Sequence, residues 1–168
     1  QQWMACGRRS DASVWCWAKT TGGSLSGGLG NGDPTGGATT AYAANQVLLA
    51  TGGVLDDAIA LQRGGLGFYP VPTCAIRADH TLWCWGPKTD GNLMQTGKDE
   101  AKAVQIKADA TTALTDVAQV ALASREACVL AGGGVKCWGA NIRGGLAQGD
   151  TTARIYPTAI GNPPANPV

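Results

Sequence analysis

Six cysteines are the residues of this chain best suited to chemistry, and their spacing narrows what that chemistry is. They fall into three pairs, Cys6 with Cys16, Cys74 with Cys84 and Cys128 with Cys137, the members ten, ten and nine positions apart. No Cys-x-x-Cys occurs, which argues against zinc ribbons and thioredoxin-like redox sites. Two readings remain. The thiols are buried as small hydrophobes, or each pair is a disulfide formed in an oxidising compartment. The even, three-fold pattern favours disulfides. Each would close only a short loop, contributing on the order of 2–3 kcal/mol, and would serve mainly as a staple holding thin sheets in register.

The other candidates have plainer explanations. His80 is the only histidine and has no fixed Cys, Ser or carboxylate partner in the sequence, so it reads as a solvated turn residue. Asp56-Asp57 could begin a cation site, but the matching position reads Thr115-Asp116, which suggests a polar turn. Gly27-Gly28-Leu29-Gly30-Asn31-Gly32-Asp33 fits neither a dinucleotide loop nor a phosphate loop, and Gly22 to Gly37 reads as a flexible surface insertion that folding can spare. Trp15, Trp17, Trp83, Trp85 and Trp138 could form a carbohydrate-stacking surface. Repeated positions usually serve the repeat, so packing between repeat units is preferred. No acid/base pair is legible and no Asn-x-Ser/Thr sequon is present. The expectation is a protein without catalytic residues, metal or cofactor.

The elements that position the cysteines repeat with them. CAIRADHTLWCWG (74–86) is closely copied as CVLAGGGVKCWG (128–139) and more loosely as CGRRSDASVWCWA (6–18). Pairing the cysteines across a hairpin leaves Gly132-Gly133 as a two-residue loop, the composition a primed turn requires. The same pairing leaves Ala78-Asp79-His80 and Ser10-Asp11-Ala12 as three-residue loops. Trp17, Trp85 and Trp138 occupy one repeat position, followed by Gly86 and Gly139 in the two closer copies. Leu93 and Leu146 each lie eight residues past the Trp, as apolar anchors in glycine-rich loops. A spacing near fifty residues is typical of propeller arrays. The larger first interval is attributed to Gly22–Gly37 and to Gly64–Pro72.

Two apolar segments precede each later hairpin, so each unit reads as four short antiparallel strands. In the second unit these are Gln46–Leu49, Ala58–Leu61, Thr73–Arg77 and Thr81–Trp85. In the third they are Val104–Ile106, Val117–Leu122, Ala127–Leu130 and Val135–Trp138. A helix competes over Asp116–Ser124, where Val117, Val120, Ala121 and Ser124 have helical spacing, and only the repeat favours strand. The organisation expected is a single repeat domain, 1–168. Residues 1–45 form the first unit, 46–97 the second blade, 98–150 the third, and 151–168 a terminal strand with a proline-rich tail.

Composition agrees with an all-β repeat protein. Glycine accounts for 25 of 168 residues, Trp for six, and 44% of residues are hydrophobic. A net charge of +1 with 15% charged residues is no footprint for nucleic acid. No apolar run is long enough to span a membrane. Opening on Gln1-Gln2, the sequence reads as a mature, trimmed or excerpted product, so the lack of a signal peptide does not argue against secretion.

The repeated CAIRADHTLWCWG and CVLAGGGVKCWG, with WGANIRGGLAQGDTT (138–152), resemble the regulator of chromosome condensation repeat family, in its bacterial extracellular branch. The last segment is similar to that family's Trp-Gly-x-Asn-x-x-Gly-x-Leu-x-x-Gly loop. The first unit departs from it, with Ala18 in place of the glycine and Thr20 where the loop asparagine would stand. The resemblance implies four-stranded β-propeller blades, usually about seven to a ring, of which this chain supplies about three. It implies roles ranging from nucleotide exchange on chromatin to β-lactamase inhibition, with the chromatin role disfavoured by the low charge and paired cysteines. The expectation is an extracellular or cell-surface structural or adhesive protein; the alternative is a module presenting its loops to another protein. Arg154–Ile160 reads as a lone first strand of a further unit, donated to a second chain beside its N-terminal hairpin by strand addition.

Overall fold

The computed structural model describes residues 3–19, 27–34, 43–64, 71–88, 95–123 and 125–161. Among these residues, eleven strands form three antiparallel sheets. The first contains β1 (Trp3–Arg8), β2 (Val14–Lys19) and β3 (Asn45–Gln46), in that order. The second contains β4 (Ala58–Arg63), β5 (Thr73–Arg77), β6 (Leu82–Gly86) and β7 (Glu100–Gln105). The third contains β8 (Val117–Leu122), β9 (Glu126–Ala131), β10 (Gly134–Gly139) and β11 (Arg154–Ala159). The segment where helix competed is strand β8, because Val117, Val120 and Leu122 pack into a core shared with the second sheet.

The three cysteine hairpins pair in the expected register, with Cys6 opposite Cys16, Cys74 opposite Cys84 and Cys128 opposite Cys137. Gly132 and Gly133 both have positive φ, 59° and 77°, in the two-residue loop.

The grouping of strands differs from expectation. The strand read as the first of each unit is the last of the preceding sheet. Gln46 pairs with Trp15, Val104 with Cys84 and Thr158 with Cys137. In the second and third sheets the physical reason lies in the glycine that follows Trp85 and Trp138. Gly86 and Gly139 have φ of 111° and 130° and sit where the register shifts, so the chain leaves the sheet at a bulge. A Cβ on Gly139 would collide with the Arg125 carbonyl and Glu126. The chain then loops out and returns antiparallel along the edge it has just left. Arg154–Ala159 is therefore the fourth strand of the third sheet. It is not a spare strand for a neighbouring chain, which removes the basis for strand donation.

The glycine-rich segment also behaves differently. Leu29 is fully buried, and Gly30 lies so close to Val47 and Trp85 that a Cβ there would clash. Trp85 Nε1 donates to the Gly28 carbonyl at 3.0 Å, and Leu48 N donates to the Gly30 carbonyl. Residues 27–34 thus form a core loop that matches Gly144–Asp150. Gly27, Gly30 and Gly32 have positive φ, as do Gly144, Ala147 and Gly149. Leu146 is buried like Leu29, and its N–H is held by the Oδ1 of buried Asn141. Asn141 Nδ2 in turn donates to the Asp150 and Thr152 carbonyls. Leu93, residues 65–70 and the proline tail from 162 lie outside the described residues.

Two cores hold the sheets together. Val14, Cys16 and Ala18 of the first sheet pack with Leu29, Ala75, Trp83 and Trp85. On the other side of the second sheet, Cys74, Ile76, Leu82 and Cys84 pack against Ala127, Val129, Ala131 and Trp138. At the near edges β1 approaches β4, and β4 and β5 approach β8, so the sheets form a fan without closing a ring. Leu29→Ala and Leu146→Ala should each cost about 2–5 kcal/mol, as expected for truncating a fully buried leucine. Denaturant midpoints measure this; a loss near zero for Leu29→Ala would restore the view of this loop as expendable.

Candidate interaction surface

Alternation along the strands divides every sheet into two chemically distinct faces. One carries the disulfide. Cys6–Cys16, Cys74–Cys84 and Cys128–Cys137 are bonded, with S–S distances of 2.09, 2.05 and 2.15 Å. No free cysteine remains. The opposite face carries the tryptophans. Trp85 and Trp138 are fully buried and Trp83 nearly so, between sheets. Trp17 occupies the same repeat position but is 42% exposed.

A rule follows from the two cores: the disulfide face of one sheet meets the tryptophan face of the next. Backbone bonds support it at both joints. The Ala58 N–H donates to the Ala12 carbonyl at 3.1 Å, and the Val117 N–H donates to the His80 carbonyl at 3.0 Å. Ala12 and His80 hold equivalent hairpin positions, both at positive φ (65° and 60°), which turns their carbonyls towards the following sheet. His80 Nδ1 also lies 3.3 Å from the Val117 carbonyl. His80 is exposed, as expected of a turn residue, but it ties two sheets together. At the first joint Arg63 Nη1 donates to the Met4 carbonyl, and Arg8 Nε donates to the Ala58 carbonyl.

The hairpin tips contain a relay that the earlier reading of the sequence does not single out. Asp11 Oδ1 accepts from the Ser13 N–H and hydroxyl, and Ser13 Oγ accepts from Trp15 Nε1. Asp79, Thr81 and Trp83 repeat this bond for bond. Arg9 and Arg77 lie over the two indoles, 5.7 and 5.3 Å from the ring centroids. The signal, Arg-x-Asp-x-Ser/Thr-x-Trp, is visible twice in the sequence. In the third hairpin the shorter glycine turn removes it. Asp57 accepts from Arg77 Nε at 2.7 Å, so it stiffens the tip as a polar turn residue. Among the described residues no three His, Cys, Asp or Glu side chains cluster as a metal site.

These bonds shift the titration of the tips. Hydrogen bonds from Thr81 hold the Asp79 carboxyl below its ordinary value of 3.8, and bonds from Ser13 do the same for Asp11. Asp57 raises the affinity of Arg77 for its proton. In a separate turn, the backbone N–H groups of Thr111 and Thr112 bring Asp109 down to about 2.

Compared by sequence, the chain matches no family model and no curated protein. Compared by structure, it is similar to human WBSCR16, with a TM-score of 0.69 and 19% identity over 96% of this chain and 37% of that one. It is similar to yeast RCC1 (Prp20) in a structure with Kap60 bound, with a TM-score of 0.68 and 13% identity over 95% of this chain and 35% of that one. A further structure, Prp20p from Saccharomyces cerevisiae, gives a TM-score of 0.66 and 14% identity over 98% and 39%. The fold is that of an RCC1-type β-propeller. The chain spans little more than a third of the length of these RCC1-fold structures.

Because the tip carboxylates have depressed values in the folded state, they stabilise it above the unfolded aspartate value, near 4. That contribution is lost as pH falls through their folded values. In a carboxyl-carbon NMR titration, Asp109 should therefore show a midpoint of about 2. Thr81→Val should return Asp79 towards 3.8 while leaving Asp11 where it was; an unmoved Asp79 midpoint would mean that the Thr81 bonds are absent in solution.

Proposed function

We propose that this chain is a non-catalytic, extracellular β-repeat protein that works by binding protein. The surface it offers includes Trp17 on the first sheet and Val135 on the third. One observation carries this reading. Trp17 and Val135 are 42% and 41% exposed, although their counterparts Trp85, Trp138, Val14 and Leu82 are all fully buried at the internal joints. Apolar side chains in positions built for packing, left in contact with solvent, mark an interaction surface.

The structural comparisons support the use of this fold for protein contact. The printed titles record Kap60 bound to yeast RCC1, and Prp20p binding to Gsp1p and histones. The last of these shows that the fold itself does not separate chromatin-associated partners from others. For this chain the net charge of +1 and the three disulfides point away from such a role. The same disulfides support an oxidising, extracellular setting. A non-catalytic role is supported by the bonding of every cysteine and by the engagement of His80 with the third sheet.

A second reading has its own observation. The two hairpin tips stiffened by the Asp–Ser/Thr–Trp relay present Arg9, Asp11, Arg77 and Asp79 in a fixed arrangement. Such tips suit a module that offers its loops to a protein, as an inhibitor does.

An environment-sensitive apolar dye tests the principal reading. It should bind the native chain, and Trp17→Asp combined with Val135→Asp should remove most of the signal while the thermal transition stays cooperative. A native chain that binds no dye would refute the assignment.

A further inference from the structure

We propose that the joint between the second and third sheets carries a side-chain latch, Gln95, at its far edge, where β11 lies. The latch stands in for the main-chain ladder that closes the same edge of the first joint, and it opens while the packed core of the joint stays shut. It is independent of the contact surface assigned above.

The two joints can be compared residue by residue. Gly86 pairs with Glu100 and Cys84 with Val104, as Gly139 pairs with Arg154 and Cys137 with Thr158, so Ala101 corresponds to Ile155 and Ala103 to Pro157. The bridges Leu48–Val54 and Lys107–Ala113 likewise make Leu48 correspond to Lys107. At the first joint the main chain closes the edge. Leu48 N donates to the Gly30 carbonyl, Ala103 N to the Leu48 carbonyl, Ala50 N to the Ala103 carbonyl and Gly32 N to the Ala101 carbonyl, each at 2.8 Å. Leu49 and Ala103 form a parallel bridge there. At the second joint Pro157 takes the place of Ala103 and has no N–H to donate to Lys107. Among the described residues no main-chain hydrogen bond joins 107–109 to 155–157.

Gln95 fills that gap. Its Nε2 donates to the Lys107 carbonyl at 2.8 Å, and its Oε1 accepts from the Lys107 N–H at 2.7 Å. The carboxamide thus pairs with Lys107 as a peptide group would. Nε2 also lies 3.3 Å from the Ile155 carbonyl, the counterpart of the Ala101 carbonyl that Gly32 engages at the first joint. Asn31 stands two residues past Leu29 as Gln95 stands two past Leu93, but its Nδ2 donates to Asn45 Oδ1 instead. Exchanging backbone for side chain has a thermodynamic consequence. Gln95 gives up rotamer freedom each time the latch closes, whereas Ala103 is already fixed within β7. The inner contacts do not pass through Gln95. They are the Val117 N–H to the His80 carbonyl, and the packing of Ala127, Val129 and Trp138 on Cys74, Ile76 and Leu82. Release of Gln95 therefore frees Lys107 and Ile155 at the far edge and leaves the core of the joint closed.

Native-state hydrogen exchange on the full chain reads the two joints separately. Corrected for local sequence, the Lys107 amide should exchange about ten-fold faster than the Leu48 amide, the difference that one to two ordinary hydrogen bonds make. Gln95→Ala, checked for three intact disulfides and a cooperative melt, should speed Lys107 by about a further ten-fold. Ala103 and Val117 should keep their protection in that variant. Pro157→Ala returns an N–H donor to the Lys107 carbonyl, so Gln95→Ala should have a smaller effect in that background. Equal protection of Lys107 and Leu48 in the unaltered chain overturns the proposal without any variant. It is overturned as well if Gln95→Ala leaves Lys107 unchanged, if it releases Val117 to the same extent, or if its effect is as large beside Pro157→Ala as without it.

Discussion

The packing of one sheet's disulfide face against the next sheet's tryptophan face is the interaction on which the rest of the structure depends. None of the sheets has more than four strands, and the strands are two to six residues long. Sheets this small are marginal when isolated. The central sheet survives because it is covered twice, by the first sheet against Trp83 and Trp85 and by the third against Cys74–Cys84, Ile76 and Leu82. The disulfides contribute in two ways. They fix hairpin register, and a one-residue slip would turn every tryptophan onto the wrong face. They also supply a compact apolar surface for the neighbouring indole to pack on.

This joint explains the other peculiarities of the chain. Gly139, after buried Trp138, lets the strand break away at a bulge, and the loop anchored by Leu146 brings the chain back along the same edge. Leu29 and Leu146 seal the loops by burial, and Asn141 satisfies the backbone groups around Leu146. Positive φ at Ala12 and His80 aims a carbonyl at the following sheet, which is why a histidine with no catalytic partner occupies a strained backbone position.

Features governed by local rules were legible in the sequence. The cysteine pairing, the hairpin registers and the two-glycine turn all depend on residues within a dozen positions of one another. The phase of the repeat was not legible. Periodicity is unchanged when the cut between units moves by one strand, so Val104 and Arg154–Ile160 could be placed at the start of a unit although they end one. The bulges at Gly86 and Gly139 decide the matter, and they are tertiary features. Residues 27–34 were obscured by composition, since glycine-rich sequence resembles a linker. The decisive sign was Leu29, flanked by Gly27, Gly28 and Gly32 at the spacing of Leu146 with Gly144, Gly145 and Gly149. The tip relay was written in the sequence twice, at Arg9–Trp15 and Arg77–Trp83, but its meaning emerges only once Ser13 and Thr81 are seen bridging aspartate to indole.

Calorimetry provides the most direct test of whether the sheet-to-sheet joints, rather than the disulfides of separate hairpins, hold the molecule together. If they do, the three sheets must unfold as one unit, with a single transition whose calorimetric and van't Hoff enthalpies agree. Separate transitions, or a calorimetric enthalpy about three times the van't Hoff value as three independent sheets would give, would contradict the disulfide-to-tryptophan joint as the organising contact.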